Sequence, residues 1–271
     1  MEQILFSKGL QHLSVNEAAE KIAEMEFAGV DLTVRPGGHV EPAQVKEKLP
    51  AALKEISAAG LALSLLTTDI KHPRDEHAED IYRAAAECGV RFLKLGYIPY
   101  VYGTYRETLA GMRRDVSEFE VLGRKYGVCA CHHLHSGDFM TQSALTVERL
   151  LEGTDPQYVG AYIDPCHLVI EGGLQGWLMG LEALAGKIRL VAVKDFRWPP
   201  EPVRQDEGFR YPLFVPLRRG TVPWKQVRDI LRRQDYDGIF SFHMEYTGLS
   251  KYEELAAVID DKQYFEASLI A

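Results

Sequence analysis

The sequence predicts an α/β fold, a single (β/α)8 TIM barrel spanning residues 1–271, from three observations. Short apolar or alternating runs recur about every 30 residues, the span of one βα unit. An amphipathic helical pattern follows each run, and no linker-like stretch interrupts the count of eight. With 271 residues, 46% of them hydrophobic and 26% charged, the chain can bury such a core as one domain.

The first strand is expected at Ile4 to Ser7, and the helix after it opens at Ser14, whose hydroxyl forms a capping box with Glu17 and which closes near Ala28-Gly29. The second strand runs from Val30 to Arg35. Its helix starts at Glu41-Pro42, where proline suits the first turn, and ends at Ala59-Gly60. Strands follow at Leu61 to Thr67, Phe92 to Gly96, Val128 to His133, Val159 to Asp164, Ile188 to Lys194 and Gly238 to Glu245. The helices between and after them are expected at Asp75 to Cys88, Thr104 to Tyr126, Ser143 to Glu152, Leu174 to Ala185, Pro223 to Arg233 and Ser250 to Phe265. The proline-rich stretch Phe196 to Val222 reads as a long loop over the barrel mouth, suited to act as a lid.

Charge and composition exclude several classes of function. Thirty-nine acidic against 31 basic residues give a net charge of -8, which opposes binding to a nucleic-acid backbone or an anionic membrane. Apolar runs such as Leu61 to Leu66 fall far short of the ~20 residues that span a bilayer. The first ten residues carry Glu2 and no secretory pattern, so a cytoplasmic protein is expected. Cys88, Cys129, Cys131 and Cys166 are too few and too scattered for a disulfide framework and are expected as thiols. A homo-oligomer is left open.

A barrel of this kind places its chemistry at the C-terminal ends of its strands, so side-chain parity selects the site residues. Val30, Leu32 and Val34 share one parity and should face the helices, leaving Asp31, Thr33 and Arg35 toward the axis; on the last strand Phe240, Phe242 and Met244 face out, and Ser241, His243 and Glu245 face in. Cys131, His133, His135, Tyr162, Asp164, Ala192 and Lys194 are placed inward on the strands between. The cluster of His133, His135, Asp164, His167, His243 and Glu245 supplies imidazoles and carboxylates from different strand ends, a donor set that suits zinc, manganese or ferrous iron. Tyr97, Tyr100, Tyr102 and Tyr105 could stack on a sugar ring, and Arg35, His39 and Arg197 could bind an anion or polyol.

At Tyr126-Gly127-Val128, Tyr162-Ile163-Asp164-Pro165-Cys166-His167, Val193-Lys194-Asp195 and Tyr236-Asp237-Gly238 with Ser241-Phe242-His243, the chain resembles the xylose-isomerase-like TIM barrels, which include sugar phosphate isomerases and epimerases and the endonuclease IV group. The resemblance implies a divalent metal ion (Mn, Zn, Fe or Mg), with Asp164 as a ligand and His167 at a second metal or the substrate. It also exposes departures. His133 and His243 stand where the family has metal-binding glutamates, and Ala192 where it has a histidine. The expected site is therefore His133, Asp164 and His243 for metal, Glu245 and Lys194 for acid-base work, and His167, Arg35, Arg197 and His135 for substrate. Lys194, beside a dication, is expected to lose proton affinity.

These residues point to a metal-dependent isomerase, epimerase or lyase that moves a proton next to the carbonyl of a small sugar, keto-sugar or polyol. The alternatives are a non-catalytic sugar-binding barrel and, against the charge and Ala192, an endonuclease IV-like phosphodiesterase.

Overall fold

The computed structural model describes residues 1–200 and 210–270. Eight parallel strands close a barrel: β1 (Glu2–Phe6), β2 (Gly29–Val34), β3 (Ala62–Thr68), β4 (Phe92–Lys94), β5 (Cys129–His133), β6 (Val159–Ile163), β7 (Ile188–Val193) and β10 (Ile239–Phe242). The ring runs β1-β10-β7-β6-β5-β4-β3-β2, and β10 meets β1 in register from Glu2↔Ile239 to Leu5↔Phe242. The helices are α1 (Val15–Glu24), α2 (Val45–Ala58), α3 (Ala78–Glu87), α4 (Tyr105–Tyr126), α5 (Ala144–Leu150), α6 (Pro165–Gly172), α7 (Gly176–Ala183), α8 (Trp224–Arg233) and α9 (Lys251–Ile270). The capping box at Ser14 and Glu17 is present, each residue bonding the other's backbone. No helix among the described residues is long and apolar enough to cross a membrane.

Alternation along the strands divides the apolar side chains between two cores. Val30, Leu32, Val34, Phe240 and Phe242 pack against the helices in the larger core, where Phe242 meets Phe27 and Phe265 at ring separations of 5.3 and 5.4 Å. Ile4, Leu65, Cys129, Cys131, Tyr162, Leu190, Ala192 and Ile239 fill the barrel axis. Above this plug lies a polar layer in which buried Asp31 accepts hydrogen bonds from Thr67 (2.7 Å) and Ser241 (3.0 Å). The expected parities of β2, β5, β6, β7 and β10 are therefore the observed ones. All four cysteines are free thiols.

Two segments depart from the expected pattern. Helix α6 starts directly at the end of β6, because Asp164 caps it and Pro165 occupies its first turn, so the single helix expected at Leu174 to Ala185 is preceded by another. Part of the stretch from Phe196 to Val222 is ordered: β8 (Asp195–Arg197) and β9 (Leu213–Val215) form an antiparallel hairpin. Asp195 fastens it. Its buried carboxylate accepts hydrogen bonds from the backbone N–H of Phe196 (2.8 Å), Thr221 (2.8 Å) and Val222 (3.0 Å) and from the Trp224 indole (3.0 Å). Residues 201–209, on which the expected lid depends, lie outside the described residues.

Candidate functional site

The C-terminal strand ends enclose a cavity of about 90 Å³ lined by Phe6, Lys8, Arg35, Thr67, Lys94, Tyr97, His133, His135, Tyr162, Lys194, His243 and Glu245. Its centre of charge is Lys194. This buried ammonium lies 2.7 Å from Glu245 Oε2 and 3.3 Å from Asp164 Oδ2. Burial alone would push it down, but the carboxylates of Asp164 and Glu245 outweigh that and raise it above the ordinary lysine value. With these two carboxylates beside it, the group is held as a cation.

Glu245 is correspondingly unsuited to the role of base. Its Oε1 accepts from Lys8 Nζ and its Oε2 from Lys194 Nζ, both at 2.7 Å. Against the opposing effect of burial, the charge of Lys194, with His243 and Lys8, holds its carboxyl well below the usual glutamate range. A carboxylate so stabilised has little affinity for a proton.

The Asp-x-x-His element has a local structural cause. Asp164 Oδ1 caps α6 by accepting from the His167 backbone N–H at 3.2 Å, while Oδ2 turns toward Lys194 and stands 3.6 Å from both His133 Nε2 and His167 Nε2. Asp164 and His167 are buried and do not line the cavity. The His167 ring packs behind that of His135, 4.0 Å between centroids, with Nδ1 2.9 Å from Ser136 Oγ.

His133 stacks on Tyr162 at 4.3 Å, and its Nδ1 is 2.6 Å from the Tyr97 hydroxyl. Burial keeps that hydroxyl protonated and pushes His133 down to about 3, so Tyr97 donates to a neutral imidazole whose Nε2 proton faces Asp164. Burial, reinforced by Lys194, likewise pushes His243 down to about 3, and its Nε2 pairs with the Tyr162 hydroxyl at 3.0 Å.

The donor set for a divalent ion was tested on these contacts. His133 Nε2, Asp164 Oδ2 and His167 Nε2 are buried without hydrogen bonds, which would suit a cation. A cation already stands beside them, the Lys194 ammonium, and the third expected ligand, His243, is engaged with Tyr162. Among the described residues, no three His, Cys, Asp or Glu side chains are arranged to hold a metal ion. The residues present do not fit a divalent centre at His133, Asp164 and His243.

Of the expected substrate contacts, Arg35 and His135 line the cavity, whereas Arg197 is exposed on the hairpin and does not. Tyr97 alone of the four loop tyrosines lines it, and Tyr102 is 92% exposed. Sequence reasoning missed Lys94, Lys8, Thr67 and Phe6. The signal for Lys94 was available: it lies between Leu93 and Leu95, two residues that pack outward, near the end of an expected strand.

The sequence model described as xylose isomerase-like TIM barrel matches residues 19–267. An inosose dehydratase of Bacillus velezensis is 32% identical over 120 residues, 42% of this chain and 39% of that protein. One of Halalkalibacterium halodurans is 25% identical over 161 residues, 57% of this chain and 52% of that protein. The chain thus matches about half or less of the length of these relatives. Among solved structures, a 3-keto-D-glucoside 4-epimerase from E. coli aligns with a TM-score of 0.73 at 13% identity over 98% of this chain and 99% of its own. A xylose isomerase-like TIM barrel protein from Mycobacterium smegmatis in complex with magnesium gives 0.70 at 15% identity over 96% and 90%. At such identities the likeness is one of fold.

Proposed function

The chain belongs to the xylose isomerase-like TIM barrel family, and we propose that it is a sugar-modifying enzyme, an epimerase, isomerase or dehydratase that moves a proton on the carbon next to the carbonyl of a keto-sugar or keto-polyol. One observation carries this reading: the Lys194 ammonium, paired with Glu245 at 2.7 Å and beside Asp164 at 3.3 Å, lines the cavity, where a substrate oxygen would meet it. Removing a proton next to a carbonyl sends an electron pair toward the oxygen, and a fixed cation aimed there stabilises the charge as it develops. Lys8 and Arg35 add to it, and Glu245 is the one carboxylate in the cavity lining, so the site favours developing negative charge. His135 and Arg35 are assigned to substrate hydroxyls. No step is routed through a metal ion, because its place is taken.

The two relatives named inosose dehydratase make inosose the first compound to try. In D2O, the enzyme should exchange the hydrogen next to the inosose carbonyl for deuterium, read by proton NMR, with or without loss of water. Ketohexoses are the second panel. Thermal stabilisation by these compounds with no exchange and no turnover would replace this reading with that of a sugar-binding barrel.

A further inference from the structure

The cavity contains two lysines in opposite circumstances. Lys194 on the β7 side is bracketed by carboxylates, whereas Lys94, which ends β4 three strands round the ring, is 4% exposed and its Nζ has no hydrogen-bond or ion-pair partner among the described residues. Its Nζ stands over the face of Tyr97, 3.7 Å from the ring centroid. Asp31, the buried carboxylate below, is taken up by Thr67 and Ser241.

Several other proton acceptors of the cavity are engaged, and His135, whose Nδ1 donates to the Ser136 carbonyl, is assigned above to substrate hydroxyls. Glu245 is held by two ammonium groups, His133 Nδ1 by Tyr97, and His243 Nε2 by Tyr162. An unpaired buried amine is costly to a fold, and this one opens on the space where substrate would sit. Pairs of titratable groups driven apart by their surroundings mark acid and base roles.

We propose that Lys94 is the catalytic base of this site, rather than the Glu245 that the sequence suggested. The assignment rests on the function proposed above. The Lys94 lone pair takes the proton from the carbon beside the substrate carbonyl; the C–H electron pair forms the new C=C bond and the carbonyl pair moves onto oxygen, beside Lys194. The ammonium formed on Lys94 lies on the Tyr97 face, a favourable place for a cation. In a dehydration the proton leaves with the departing hydroxyl as water; in an isomerisation it is delivered to the former carbonyl carbon as a proton passes between the two oxygens; in an epimerisation Lys94 keeps it and the carbon takes its new proton from a donor on the opposite face, such as a water molecule. Burial, and next to it the charge of Arg35 with a smaller contribution from Lys8, outweigh the opposing carboxylates of Asp69 and Asp31 and push Lys94 down to about 7, so at neutral pH a large share of the amine is free.

The test has two arms. In the first, the full chain without substrate is acetylated by a trace of N-hydroxysuccinimidyl acetate across a pH series, and each lysine peptide is followed by mass spectrometry. The rate at Lys94 should level off by about pH 8, while solvated lysines gain about tenfold per unit toward ~10.4. A Lys94 profile that climbs with theirs overturns the proposal. In the second arm, Lys94→Met should stay folded with a Tm at or above that of the wild type, bind inosose as before, and exchange deuterium about 10²-fold or more slowly. Lys94→Gln serves if the Met variant fails to fold. Wild-type exchange in these variants overturns the proposal alone; no exchange in the wild-type chain overturns the proposed function as well.

Discussion

The decisive residue is Lys194, because its side chain converts a set of possible metal donors into a closed ion cluster. Its removal should have two separable consequences. Lys194→Met leaves the buried Asp164 carboxylate without its counter-charge and Glu245 with Lys8 alone, so stability to urea should fall by about 3 kcal/mol, near the lower end for breaking a buried pair. The same vacancy opens a dianionic pocket beside His133, so Mn2+ should raise the Tm of Lys194→Met and leave that of the wild type unchanged. Stabilisation of the wild type by Mn2+ would mean that the ammonium yields its place to a metal.

At the scale of elements, the strand ends are held by side chains that bond backbone groups far along the chain. Asp195 does this for the hairpin β8–β9 by gathering four donors, three of them 26 to 29 residues away, whereas Asp164 acts locally, capping α6 through the His167 N–H. A Cβ on Gly220 would collide with the Asp195 carboxylate, so the turn and the clamp require each other. Asp195→Ala strands buried N–H groups of Thr221, Val222 and Trp224 and should cost about 3 kcal/mol. Hydrogen exchange should quicken first in Phe196, Arg197 and Leu213 to Val215; uniform quickening across the barrel would show instead that the clamp supports the whole core.

The whole molecule carries its charges in a way that fixes its response to acid. Burial pushes His132, His133 and His243 down to about 4, 3 and 3 and also lowers His135 and His167. The stability these groups contribute is full above the unfolded value of ~6.5 and is lost as pH falls through their folded values. Asp31, Asp195 and Asp261 have the opposite sign. Burial pushes them up to about 7, 6 and 7, so their contribution is full below ~3.9 and is lost as pH rises. With His39, which burial also lowers, six histidines outnumber three aspartates, so stability should increase from about pH 4 to about 6.5. Below that, Asp164 and Glu245, both held under their ordinary values, lose their ionised state and steepen the fall. Urea unfolding at intervals across this range measures the slope; a flat profile would show that the buried histidines stay protonated in the fold.

The amino-acid sequence by itself determined the barrel, the parity of its strands and the end at which chemistry collects. Val30, Leu32 and Val34, or Phe240 and Phe242, need only a period of two and a helix-covered face to be placed, and both signals are local. The inward positions of His133, Lys194, His243 and Glu245 follow from the same rule. Only the tertiary structure decided which of these groups touch and therefore which carry charge. Lys194 meets Asp164 and Glu245, 30 and 51 residues away in sequence, and that pairing favours the charged forms of the lysine and of both carboxylates. Lys94 acquires its character from the opposite circumstance, a buried strand end where its ammonium forms no ion pair among the described residues and Asp69 and Asp31 act on it only from a distance. Proton affinity in a buried site is set by neighbours within a few ångströms and by exclusion of water, and neither is a property of position along the chain.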